Sequence, residues 1–237
     1  MKILALASSG MVASVAVVED ERLLAEYTVN YKKTHSQTLL PMLNEIGEMI
    51  ELDLNTVDAI AVAGGPGSFT GLRIGSATAK GLGLALDKPL VHIPTLEGMA
   101  YNLYGTDRVI CPMMDARRNQ VYTGIYEFQG DKLHVIEDQM AVPAGEIAEK
   151  LNALGREVIL LGDGSLAYRE QLAQLLTVPY TLAPAHLHQQ KASSLAVCAM
   201  EYVKQGKTET AAEHQPDYLR VSQAERERAQ KLQAQQE

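Results

Sequence analysis

Residues 63–75, AGGPGSFTGLRIG, set five glycines and one proline between an apolar run ending at Ala63 and a second that continues to Leu86. This is a strand-to-helix turn shaped for close backbone approach, and phosphate-binding loops are built the same way. Spacing excludes three named loops. A P-loop closes on Gly-Lys-Ser/Thr, and no lysine stands here. The dinucleotide fingerprint needs GxGxxG, whereas Gly65, Gly67, Gly71 and Gly75 are spaced two, four and four apart. A nucleophile elbow needs glycine two residues before the serine, and Pro66 holds that place ahead of Ser68. Two readings stay open. Gly65, Gly67, Ser68, Thr70 and Arg73 either offer an anion site at a helix N-terminus or make a plain turn in which Ser68 or Thr70 caps the helix.

In the helix that follows, Gly71, Gly75, Ala79 and Gly83 recur every four residues and leave a stripe without side chains, where another backbone can come close. Each mid-helix glycine costs about 0.5–1 kcal/mol against alanine, so some packing must offset it. Arg73 and Lys80 are the only charges from Leu72 to Leu86, and most of the circumference suits burial. The stripe faces either the chain's own core or a second protein. Upstream, HSQTLLPMLNEIGEMIEL (35–52) places Leu39, Leu43, Ile46 and Ile50 at helical spacing. Met42, Ile46 and Met49 form a second line, more than one buried stripe requires.

Further out, KILALA (2–7), VASVAVV (12–18) and RLLAEYTV (22–29) read as a meander of three strands ahead of the 35–52 helix. A buried strand at 57–63, the glycine loop with its helix, a short strand at 89–92 and a helix at 95–103 complete the first half. The second half repeats the order: strands at 108–114, 119–128 and 132–142, a helix at 144–154, an apolar strand within EVILLGDG (157–164), and helices at 165–176 and 192–205. Two βββ-α-β-α units predict a duplicated α/β architecture with a cleft between halves. VSQAERERAQKLQAQQE (221–237) reads as a charged helix or tail.

At 237 residues and 46% hydrophobic, the chain can bury a sizeable core. A net charge of −8, with no basic block beyond Lys32-Lys33 and Arg117-Arg118, argues against a stand-alone nucleic-acid binder. The apolar run in MKILALASSG is interrupted by Ser8, too early for a signal peptide or membrane span, and the expected location is the cytoplasm. Cys111 and Cys198 lack metal or disulfide spacing and read as half-buried thiols. His186 and His188 read as a solvated pair in a loop, and His35 as a solvated residue at a helix start. Asp115 with Arg117 and Arg118 makes either a cleft cluster or a charged turn.

Taken together, GGPGSFTGLRIGSATAKGLGLAL (64–86), VHIPTLEGMA (91–100), HSQTLLP (35–41), MDARRNQVYTGIY (114–126), GDG (162–164) and PDYLR (216–220) resemble the TsaB family, also called YeaZ. The resemblance spans nearly the whole chain in order. It implies two RNase H-like halves of the actin, hexokinase and Hsp70 fold, at residues 1–105 and 106–220, with 221–237 as the tail. It also implies a role in making threonylcarbamoyladenosine at position 37 of tRNAs that read codons beginning with A. There TsaB is the non-catalytic partner of the transferase TsaD, joined by the ATPase TsaE, while TsaC supplies the adenylate.

The resemblance implies neither a catalytic residue nor a cofactor in this subunit, with ATP and a metal held by the partners. The transferase carries a metal-binding HxxxH, and alignment on Glu97-Gly98 puts Thr95 and Met99 at those two places. Where the family usually shows Asp-Thr-Ser, this chain has Ala7-Ser8-Ser9. The expected partner surface comprises Leu39, Met42, Leu43, Ile46, Met49, Gly71, Gly75, Ala79 and Gly83, serving TsaD or, in the isolated protein, a second copy. Transfer RNA is reached only through the complex, and no membrane is involved. The competing classes are an ATP-binding or ATP-hydrolysing enzyme of the same fold, with Asp115 and Asp163 as its available carboxylates, and a metallopeptidase-like protein.

Overall fold

The structure is a computed structural model that describes residues 1–31 and 34–220; the tail expected at 221–237 lies outside the described residues. Strands β1 (Lys2–Ala7), β2 (Ala13–Glu19) and β3 (Arg22–Val29) form the expected meander. Helix α1 (His35–Met49), β4 (Ala59–Gly65), α2 (Phe69–Leu86), β5 (Leu90–Pro94) and α3 (Thr95–Ala100) follow. The second half supplies β6 (Val109–Asp115), β7 (Gln120–Gln129), β8 (Lys132–Pro143), α4 (Ala144–Leu154) and β9 (Val158–Leu161). Next come α5 (Asp163–Ala167), α6 (Arg169–Leu175), β10 (Tyr180–Leu182), α7 (Ala185–His188) and α8 (Ala192–Lys204). The helix expected over 165–176 is broken at Tyr168, whose φ of −108° leaves the helical range.

The two sheets have one topology. The first runs β3-β2-β1-β4-β5 and the second, read from its other edge, β8-β7-β6-β9-β10, with the first three strands antiparallel and the rest parallel in each. The duplication legible in the order of elements is therefore a duplication of sheet topology.

Strand alternation then sorts the core into layers. Leu4, Leu6, Val15, Val17, Ile60 and Val62 face outward from the first sheet and meet α1 and α2. Val109, Cys111, Val158 and Leu160 do the same in the second and meet α4 and α6. The opposite faces share one central core, in which Ala5, Ala7, Ala16, Ala59, Ala61 and Ala63 leave room for α8 and its Ala192, Ala196 and Ala199. Helix α8 follows the second sheet in sequence yet packs on β1 and β2, and α3 follows the first yet packs on β6. The two outer cores thus belong to one sheet each, while the central core draws on both halves. Cys111 and Cys198 lie fully inside rather than half-buried, and burial pushes the Cys111 thiol up to about 12.

Candidate functional site

At the end of the molecule where the β1–β2 and β6–β7 turns meet lies a cleft of about 670 Å³. Ser9, Gly10, His35 and the glycine loop line it from the first half, and Asp115, Arg117, Arg118, Tyr122 and Asp163 from the second. The glycine loop is tied to the β1–β2 turn beside it. Ser68 N–H donates to Ser9 O at 2.7 Å, and Ser8 Oγ donates to Gly71 O at 2.9 Å. A Cβ at Gly67 would collide with Ser9 O, and one at Gly71 with Ser8 O. Ser68 is the N-cap of α2, its Oγ accepting from Gly71 N–H at 3.3 Å. Two of the N–H groups an anion would need are thus engaged within the chain.

The remaining loop residues have partners from the far end of the chain. Gly65 adopts φ +134°, and a Cβ there would strike Asp217 O, whose own N–H donates to Gly64 O at 2.7 Å. Thr70 stays exposed on the cleft wall. Arg73 Nε donates to Tyr218 Oη at 3.3 Å, and Tyr218 stacks on Phe69 with ring centroids 4.7 Å apart. Arg220 Nη1 donates to Ala116 O at 2.9 Å and fastens the β6–β7 turn. These contacts explain the PDYLR string, which sequence alone marks as a motif without showing what it touches. His35 is not a solvated residue: its Nε2–H donates to Gly10 O at 2.8 Å. His188 is also buried rather than solvated, donating from Nδ1 to Ala183 O at 3.2 Å, while His186 stays exposed.

The two carboxylates of the cleft are committed as well. Asp163 Oδ1 accepts from Asp115 N–H at 3.2 Å, and burial raises the Asp163 carboxyl above its ordinary value. Asp115 Oδ1 accepts from Arg117 N–H at 2.8 Å and from Tyr168 Oη at 3.4 Å. Arg117, Arg118 and Asn119 all take left-handed φ values of 56–63°, so the turn aims the two arginines along the cleft mouth. Both sequence readings of this segment hold at once, a charged turn that lines a cleft. Ala7 is buried at the end of β1. Thr95 and Met99 are buried in the central core.

The expected partner surface needs correction residue by residue. Leu39, Met42, Leu43 and Ile46 point into the core under α1, with Met42 only 4% exposed, because α1 needs both apolar lines to cover β2 and β3. Gly71, Gly75, Ala79 and Gly83 are also buried: Gly75 stands over Ser8 Oγ and Val62, and Gly83 over Leu90 and Ala211. The stripe therefore serves the chain's own sheet and C-terminal segment. Of the nine positions only Met49 lies open, at 80%, and Leu40 and Leu84 join it at 54% and 70%. A shallow groove lined by Leu40, Asn44, Gly47 and Leu54 runs along one side of α1, and Met49 lies on the other.

The family model described as tRNA N6-adenosine threonylcarbamoyltransferase matches residues 22–228. A protein of Bacillus subtilis strain 168 named tRNA threonylcarbamoyladenosine biosynthesis protein TsaB is 33% identical, over 95% of this chain and 96% of its own length. The protein of the same name from Escherichia coli strain K12 is 31% identical over 93% and 95%. Among solved structures, YeaZ from Pseudomonas aeruginosa superimposes with a TM-score of 0.80 at 28% identity, covering 92% of this chain and 99% of the other.

Proposed function

This chain belongs to the TsaB (YeaZ) family, and from that premise we propose that it is a non-catalytic subunit required for threonylcarbamoyladenosine formation at position 37 of tRNAs reading codons that begin with A. In this reading it binds and activates the transferase TsaD together with TsaE, and it reaches tRNA only through that assembly. The names of its relatives support the pathway. The observation that carries the non-catalytic role is the glycine loop itself, closed onto Ser8 and Ser9 by hydrogen bonds and bare-backbone contacts where an ATP-using relative would need open N–H groups. In this reading Asp115 and Asp163, each accepting a backbone N–H, hold the turns of the cleft rather than a nucleotide's metal.

Docking falls in this reading to the outer faces of α1 and α2, where Leu40, Met49 and Leu84 are open. Because the transferase has the same fold, a like surface can meet this one, and a second copy of the chain competes for it when the transferase is absent.

The test is reconstitution of the modification with purified TsaC, TsaD, TsaE, ATP and unmodified tRNA, with the nucleoside product measured by mass spectrometry. Omission of this chain abolishes product, while Asp115→Asn and Asp163→Asn sustain it at close to the wild-type rate. A loss of about 100-fold or more with either variant, with the complex still assembled, identifies a catalytic carboxylate and overturns the proposal.

A further inference from the structure

The end of the described chain returns to the first sheet. Leu90 and Glu209 exchange backbone hydrogen bonds of 2.8 and 3.0 Å at the outer edge of β5, and Lys80 on α2 donates to the carbonyls of Ala212 and His214. This return brings together side chains more than a hundred residues apart in sequence. One donor atom from each of His92, Glu209 and His214 lies within 4.8 Å of the other two. Asp217 Oδ2 stands 3.3 Å from His92 Nε2. The imidazole of His92 lies where a Cβ on Gly64 would be, so a bare residue at 64 is a condition of its position.

The cluster is not satisfied by its own hydrogen bonds. His214 is 1% exposed, and its Nδ1 is 2.6 Å from Glu209 Oε1, but its Nε2 has no partner. His92 Nε2 is likewise buried, and Asp217 approaches it without hydrogen-bond geometry. Such buried polar atoms are uncommon and point to an absent partner.

We propose that His92, Glu209 and His214 form a site for a divalent transition metal, with Zn2+ the best match. Two imidazoles select a borderline metal over Mg2+ or Ca2+, and with Glu209 they supply three ligands from two segments of the chain. Glu209 offsets part of the ion's charge, and Asp217 stands beside His92. The metal fastens the edge of β5 to the segment carrying Tyr218 and Arg220, the residues that grip Phe69 and the β6–β7 turn. The site is distinct from Thr95 and Met99, the positions at which the resemblance compares this chain with the transferase.

The test uses the full chain, stripped with chelator, dialysed and titrated calorimetrically with ZnCl2, in parallel with Co2+ followed by visible absorption. The expected result is one equivalent bound, a tetrahedral Co2+ spectrum and a higher melting temperature with zinc. His92→Ala and Glu209→Gln, at side chains 21% and 27% exposed and hence tolerated by the fold, each weaken binding at least about tenfold. His186→Ala, at an exposed imidazole of the second half, leaves it unchanged. Absence of zinc binding overturns the proposal, as does binding that survives both His92→Ala and Glu209→Gln or is lost in His186→Ala.

Discussion

Gly67 and Gly71 matter for the atom they lack. Each sits against a carbonyl of the Ser8-Ser9 turn, so the cost of glycine in a helix start is offset by hydrogen bonds that only close approach allows. Gly71→Ala is expected to destabilise the chain by about 1–3 kcal/mol, seen as a lower urea midpoint at unchanged slope. Gly81 is the contrasting position, with nothing within 4 Å of the place a Cβ would occupy, and Gly81→Ala should instead stabilise by about 0.5–1 kcal/mol. Equal effects at the two sites would show that the loop yields around an added methyl. At this scale the sequence discloses local chemistry well: it offers Ser68 or Thr70 as the helix cap, and Ser68 takes that place. It is silent on the partners of Gly65, Gly67 and Gly71, because those partners sit about 60 or 150 residues away and approach with backbone carbonyls that leave no side-chain signature.

Among the elements, period-2 and period-3.6 patterns locate nearly every strand and helix, and the exceptions have physical causes. Strand β10 has three residues and α7 has four, too short for any alternation to register. The partner surface differs from its expectation for a related reason. Two apolar lines on α1 suggest an inner and an outer face only if one line suffices to cover the sheet, and here β2 and β3 take both lines except Met49. The difference is measurable. Met42→Glu places a carboxylate in the core and is expected to cost several kcal/mol in thermal or urea unfolding, whereas Met49→Glu should change stability by no more than about 0.5 kcal/mol. Comparable melts for the two variants would contradict the assignment of Met42 to the core. The small-residue stripe of α2 is open to both readings in the sequence, and Ser8, Val62, Leu90 and Ala211 packed against it decide between them.

For the whole molecule, the duplicated order of elements is enough to foresee two sheets of one kind, since the same pattern imposes the same connections. What alternation does not reveal is which sheet face meets which. The alanine-rich face shared by β1, β2 and β4 takes α8 from the second half, while α3 from the first half packs on β6, so the two halves are one packed body in the layer that holds α3 and α8. A body tied together in this way, with its cleft loops bonded to one another, is suited to present a fixed surface to a partner rather than to open and close on a substrate. The most direct test of that account is calorimetric titration of the full chain into TsaD from the same organism, with wild type, Met49→Glu and Leu84→Glu compared. A carboxylate forced into a desolvated contact costs about 2–5 kcal/mol, so each variant should lose at least about 30-fold in affinity while melting like the wild type. Wild-type affinity in both variants would contradict docking through the outer faces of α1 and α2.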